Sequence, residues 1–195
     1  MYLIFDTETN GLPSNYRLPA EYTNNWPQIV QLSWGIYYDN GDLKESHDYI
    51  IKPNGFTITE ESIKIHKITN ELAHKVGHNI KDALYKFKES LKTVQTIVAH
   101  NFDFDINVLG AEYIRNGIKL YYKNIKREIC TMKSTTQYCA IPSPNYPTSY
   151  KWPKLQELHK KLFNKEFENS HNSKYDVEAC AKCLFECLAR DIIHK

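Results

Sequence analysis

The chain opens with four consecutive apolar residues, Tyr2 to Phe5, that run directly into Asp6-Thr7-Glu8. A run this short and this apolar reads as a strand buried on both faces. Carboxylates do not share such burial without cost, so the strand must deliver them where it leaves the core, at its C-terminal end. Side chains alternate along a strand, which sends Asp6 and Glu8 to the same side. Two like charges so close raise each other's pKa unless a cation sits between them. An all-oxygen donor set favours Mg²⁺ or Mn²⁺ over zinc. Alone, D-x-E fits ordinary solvated charge as well; the rest of the chain decides between the two.

After this strand, Gly11, Pro13, Ser14 and Asn15 break the chain into a loop. Residues 28–38 alternate and are rich in Ile, Val, Trp and Tyr, which predicts a second strand. Asn40-Gly41 is a hairpin signal, answered by a returning strand over 43–52, so residues 2–52 form a three-stranded antiparallel meander. Thr59 followed by Glu60 and Glu61 caps a short helix to His66. Ile80, Leu84, Phe87 and Leu91 recur at helical spacing over 79–91. Residues 96–99 read as a buried strand leading into His100-Asn101, and 105–116 as a helix closed by Gly117. A fifth strand is expected over 128–131. Residues 142–153 hold four prolines and form an irregular surface loop. Tyr146, Tyr150, Lys151 and Trp152 make it either a basic aromatic rim or, more simply, a loop anchored by one tryptophan. Helices follow over 154–162, with Pro153 at its first turn, and 176–193. No repeat, low-complexity tract or linker divides residues 1–195, which predicts one mixed α/β domain.

Composition excludes several classes. A net charge of +2 rules out a uniformly basic nucleic-acid binder but allows a local basic groove. Only Arg17, Arg115, Arg127 and Arg190 are arginines among 25 basic side chains, so phosphate contacts would rest on lysine point charges. Five cysteines show no disulfide framework. Cys180, Cys183 and Cys187 fall on the apolar stripe of the last helix beside Leu184 and Leu188, and no second C-x-x-C or C-x-x-H completes a zinc site. No secretory signal is present, and no apolar stretch approaches the roughly 20 residues that cross a bilayer. The expected setting is the cytoplasm, or a nuclear or viral context. No feature of the sequence points to an oligomeric state.

Two later segments repeat the pattern of the first. In Val98 to Asp105 an apolar strand meets a polar turn, then an acid at the start of a helix; in His171 to Asp176 a histidine precedes an acid at the start of the last helix. Helix capping would explain Asp103, Asp105 or Asp176, but not His100-Asn101 or His171. The ordered set D-x-E, then H-N-x-x-F-D, then H-x-x-x-x-D resembles the DEDD exonuclease superfamily, in the subtype with histidine in the third motif: the DnaQ-like proofreading exonucleases of bacterial DNA polymerase III. DTETNGLP, IVQLSWGIYY, IHKIT and KWPKLQELHKKLF extend the resemblance over essentially the whole chain.

The resemblance implies a ribonuclease-H-like fold with a mixed five-stranded sheet in the order 3-2-1-4-5, flanked by helices. It implies metal binding by Asp6, Glu8, Asp105 and Asp176, with the H-N-x-x-F-D frame selecting Asp105 over Asp103, and His171 as general base. A free histidine titrates near about 6.5, suited to taking a proton from water near neutral pH. Two Mg²⁺ or Mn²⁺ ions roughly 3.5–4 Å apart, bridged by Asp6, would clamp the scissile phosphate. The expected reaction is 3′-5′ hydrolysis of single-stranded nucleic acid ends to nucleoside 5′-monophosphates. Thr7, Thr9, Gly11, Leu12, His66, Asn101 and Phe102 are the candidate substrate contacts. Asn10 and bulky Phe102 stand where many relatives have threonine and a small residue. DNA is the favoured substrate, with RNA or short oligoribonucleotides the alternative. A non-catalytic scaffold should lack one of the acids or the histidine, and all five are present. A polymerase or replication partner fits the family, although the chain ends two residues after the apolar part of its last helix, with no segment suited to a tether.

Overall fold

A computed structural model describes residues 1–120, 123–144, 146 and 148–194; positions 145 and 147 of the expected proline-rich loop fall outside these. Strand β1 (Tyr2–Thr9) pairs antiparallel with β2 (Ile29–Tyr37), which pairs antiparallel with β3 (Leu43–Ile50). The hairpin between β2 and β3 turns at Gly41, whose φ of 92° is one that a side chain would resist. Strands β4 (Thr96–Ala99) and β5 (Arg127–Cys130) add in parallel on the other side of β1. The sheet order is β3-β2-β1-β4-β5, as the resemblance implied.

Helices α1 (Glu60–His66) and α2 (Asn70–Val76) are each started by a threonine, Thr59 and Thr69, whose side chain accepts a backbone N–H from the first turn. The sequence reading missed α2. Helix α3 (Ile80–Leu91) matches its expected span. Helix α4 (Phe102–Arg115) starts three residues earlier than expected, because Asn101 enters it through a left-handed turn without a side-chain cap. Two short unforeseen helices, α5 (Thr131–Ser134) and α6 (Thr136–Cys139), follow β5. Helices α7 (Leu155–Phe163) and α8 (Ser173–Ala189) close the fold. Helix α8 also starts three residues early, because Asn172 caps it and leaves Asp176 inside the first turn.

Alternation along β1 sorts the core into two layers. Leu3 and Phe5 join Trp34, Phe87 and Leu109 on one face, the side of α3 and α4. Tyr2 and Ile4 join Val98, Leu158 and Leu184 on the other, the side of α7 and α8. Cys180, Cys183 and Cys187 are buried in that second layer as free thiols, in keeping with the apolar-stripe reading. Each large apolar side chain fully buried here contributes about 1.5–3 kcal/mol. Both layers therefore hold β1 tightly, and β1 ends in the acids. Among the described residues no helix is long and apolar enough to cross a membrane.

Candidate active site

Asp6 and Glu8 leave β1 on the same side as Tyr2 and Ile4, opposite Ser33 and Gln31 of β2. Thr7 points the other way, toward α4. Its backbone N–H and its hydroxyl both donate to one oxygen of Asp105, at 3.0 and 2.7 Å. Asp105 is 2% exposed and sits in the first turn of α4, where the helix dipole favours an anion. Asp176 occupies the same position in α8. A partly buried polar network ties that helix start to the sheet. The backbone N–H of Ser173 donates to Gln31 Oε1 at 3.2 Å, Gln31 Nε2 and Ser33 Oγ both donate to Asp48 Oδ1 at 2.8 Å, and the hydroxyls of Ser33 and Ser173 share a hydrogen bond. Every member finds a partner, as buried polar groups must.

These elements bring one carboxylate oxygen each from Asp6, Glu8 and Asp176 to within 4.8 Å of one another. Burial pushes all four acids up, and repulsion from neighbouring acids adds to it for Asp6, Glu8 and Asp105. Glu8 rises to about 8, Asp105 to about 7 against the pull of its Thr7 hydrogen bonds, and Asp176 to about 7 against backbone bonds from His171 and Asn172. Asp6 is raised well above the usual carboxylate range by burial and then by Asp105, Asp176 and Glu8. Among the described residues, no ion pair involves any of the four acids. A hard-oxygen cluster without a protein counter-charge fits a divalent cation.

The acids floor a cleft of about 960 Å³ that Thr7, Thr9, Gly11, Leu12, His66, Asn101 and His171 also line. Thr9 Oγ1 donates to the Gly11 carbonyl at 2.7 Å, closing a turn that leaves Leu12 74% exposed. Asn10 ties this turn to the sheet, its Oδ1 accepting from the Gln28 N–H at 2.8 Å. Buried His66 accepts the Ile68 N–H on Nδ1 at 3.0 Å, which leaves the ring proton on Nε2, and buried Nε2 has no hydrogen-bond partner of good geometry among the described residues. Burial, above all, holds this imidazole below its ordinary pKa. His171 is exposed and takes a left-handed backbone, φ 66°.

Phe102 is a correction. It is 5% exposed and packs edge-on against Phe5, ring centroids 6.0 Å apart, within the core. Because α4 begins at Phe102, residues 102, 105 and 109 share the inward face, and Phe104 lines the cleft instead. The sequence reading also missed Ile65 and Met132 in the cleft wall. Ile65 is exposed beside buried His66, and no local pattern in the sequence marks that arrangement. Trp152 does not anchor its loop; it is 60% exposed, and buried Pro153 beside it takes the anchoring position.

Residues 3–184 match the family model described as Exonuclease. The chain belongs to the exonuclease family. The DnaQ-like resemblance read from its three motifs agrees with that membership. Among its relatives, this exonuclease-family chain is 30% identical over 177 residues to a DNA polymerase III PolC-type of Pediococcus pentosaceus, covering 91% of this chain and 10% of that protein. A PolC-type polymerase of Listeria monocytogenes is 28% identical over 180 residues, covering 92% and 11%. The chain thus spans about a tenth of the length of the curated relatives it matches. Its fold is similar to that of Escherichia coli exonuclease I in complex with a dT13 oligonucleotide, with a TM-score of 0.75 at 20% identity over 97% of this chain and 41% of that one. It is also similar to exonuclease X in complex with 5′-overhanging duplex DNA, with a TM-score of 0.64 at 21% identity over 100% and 95%.

Proposed function

We propose that residues 1–195 form one exonuclease domain that hydrolyses single-stranded DNA from its 3′ end, with divalent metal, to nucleoside 5′-monophosphates. The observation that carries the reading is the convergence of Asp6, Glu8 and Asp176 beside Asp105, with none of these acids in an ion pair among the described residues. In this reading the four acids hold two Mg²⁺ or Mn²⁺ ions, which supply positive charge to the phosphate and to the attacking and leaving oxygens. Thr7 keeps Asp105 oriented through its two hydrogen bonds. His171 accepts the proton of the attacking water on a ring nitrogen and, being exposed, passes it to solvent.

The turn Thr9–Leu12 closes the cleft beside the acids, and exposed Leu12 offers an apolar face to a terminal base. His66 forms part of the cleft wall beside this turn. Asn101 and Phe104 line the opposing wall. DNA rather than RNA is supported by the PolC-type relatives and by structural neighbours solved with DNA. The same relatives make a replicative polymerase the partner of choice.

The test uses matched 5′-labelled single-stranded DNA, duplex DNA and RNA with Mg²⁺, Mn²⁺ or EDTA. Stepwise shortening of single-stranded DNA from the 3′ end, release of 5′-monophosphates and silence in EDTA are expected. Circular single-stranded DNA and a 3′-phosphate end should resist. Efficient cutting of circles would make the protein an endonuclease, and full activity after thorough chelation would remove the metal reading.

A further inference from the structure

The chain has three tryptophans. Trp26 and Trp34 are 3% and 0% exposed, whereas Trp152 is 60% exposed and lines the same cleft as the acids. The backbone on both sides of Trp152 is nonetheless fixed. Lys151 donates its N–H to the Ile141 carbonyl at 2.9 Å, and its ammonium is paired with Glu157 at 2.6 Å. Pro153 is buried, and its carbonyl accepts from His100 Nε2 at 3.0 Å. His100 Nδ1 in turn accepts from the Thr131 hydroxyl at 2.9 Å, so a neutral ring spans β4, α5 and the loop. The Lys154 N–H is held by Glu157 at 2.7 Å. A side chain this large on a backbone this well anchored, yet left unpacked, is a preorganised surface that loses little entropy when a flat partner covers it. Lys154, exposed beside it, is the one lysine or arginine among the described cleft-lining residues.

We propose that Trp152 is a base-stacking platform for an upstream nucleotide of the strand whose 3′ end lies on the acids, with Lys154 against the adjoining phosphate. The inference rests on the proposed exonuclease function and adds a second subsite to the same cleft. Aromatic stacking tolerates any base because every base has a flat face. The platform would therefore give affinity for single strands without a sequence preference. His100 is its positioning residue, because it locks the carbonyl next to the indole.

The experiment uses the full chain in EDTA, so that binding is read without turnover, with fluorescein-labelled (dT)10 as the probe. Trp152→Ala should weaken binding by roughly 5- to 100-fold, the range for loss of one stacked base, with melting temperature unchanged because the indole is exposed. Trp152→Phe should restore most of the affinity. Tryptophan emission should be quenched by unlabelled (dT)10 in the wild type and not in Trp152→Phe, since the other two indoles are buried. An abasic site scanned along the strand should weaken wild-type binding at one upstream position and leave Trp152→Ala insensitive there. Equal affinity of wild type and Trp152→Ala, or binding without quenching, overturns the platform while leaving the exonuclease reading intact. A wild-type protein that neither binds (dT)10 nor degrades DNA with metal present overturns both.

Discussion

The acids and the proposed base of this site are held in opposite ways. Asp6, Glu8, Asp105 and Asp176 sit on a central strand and two helix starts, secured by two core layers, by the hydrogen bonds that Thr7 donates to Asp105, and by those that join Ser173 to Gln31 and Ser33. His171 lies on the segment between α7 and α8, exposed, where Asn164, Asn169 and His171 all adopt left-handed backbone at φ of 60°, 58° and 66°. Asparagine takes that conformation readily, but most residues with a β-carbon avoid it. The contrast follows from what each group must do. Like charges need a rigid frame, because repulsion would otherwise separate them. A proton acceptor needs the reverse of burial: His100 and His66 are driven down, His100 to about 4, chiefly by burial. An imidazole held that low would not retain a proton near neutral pH.

Removing a floor acid should produce the largest effect. Asp6→Ala is expected to lose on the order of 10⁴-fold in activity, because the several kcal/mol of charge stabilisation that the metal supplies would go with it. Asp176→Ala should also weaken Mn²⁺ binding in a calorimetric titration. If either variant retains wild-type turnover, the acids are not the catalytic floor.

His171→Ala comes next, with a loss of roughly 10²–10⁴-fold in kcat. Metal affinity, substrate affinity and melting temperature should stay near wild type, because no core contact is lost. A fall in stability comparable to that of a core variant would erase the distinction between floor and loop.

Thr7→Val tests how tightly the floor is specified. It deletes the hydroxyl bond to Asp105 but keeps the backbone N–H bond, and losses of outlying ligand contacts typically cost about 10–100-fold in metal affinity or activity. Unchanged kinetics would mean that the backbone bond alone orients Asp105.

The smallest effect is on stability in EDTA. Free acids titrate near about 4, and Glu8 in the folded protein is raised to about 8. The folded state therefore binds more protons than the unfolded chain between these values, and this contribution to stability falls as pH rises from about 4 to about 8. His66 and His100, with lowered values, act oppositely: their contribution is present above about 6.5 and is lost as pH falls below it, for His100 toward about 4. Comparing Glu8→Gln with wild type isolates the first trend. The variant should gain at least about 2–4 °C in melting temperature at pH 8, the shift worth ~1 kcal/mol for a chain of this length, and nothing at pH 4. A gain independent of pH would show that Glu8 is not held protonated. Mg²⁺ should likewise stabilise the wild type more at pH 8 than at pH 5.

The legible parts of the fold were those with local periodicity. Alternation revealed β2, the Asn40-Gly41 turn gave the hairpin, and the apolar run before Asp6 identified the central strand. Asp6, Glu8, Asp105, His171 and Asp176 each lie beside a sequence-visible junction of strand or helix, and the structure lines one cleft with all five. Phe102 was misplaced because Asn101 starts α4 without a capping side chain, so the phase of the helix could not be set from sequence. The bond from Thr7 to Asp105 and the link from Thr131 through His100 to Pro153 join residues far apart in the chain, and no local signal announces them. Helix α2 is only seven residues long and exposes Leu72 and Val76, which weakens its apolar periodicity.

Strand β1 pairs with β4 in parallel, Tyr2 beside Thr96, and Asp6 meets Asp176 only once α8 has packed on the sheet. Contacts so distant in sequence form slowly, since a long loop must close before any of them is rewarded. The clock of folding thus ends where the chemistry begins. Asp6 and Asp176 can meet only after the segment that forms α8 has been made, so the proposed acid cluster is among the last features to assemble. The same delay makes catalysis a gauge of completion: in a denaturant series, activity should vanish together with the global unfolding transition rather than ahead of it.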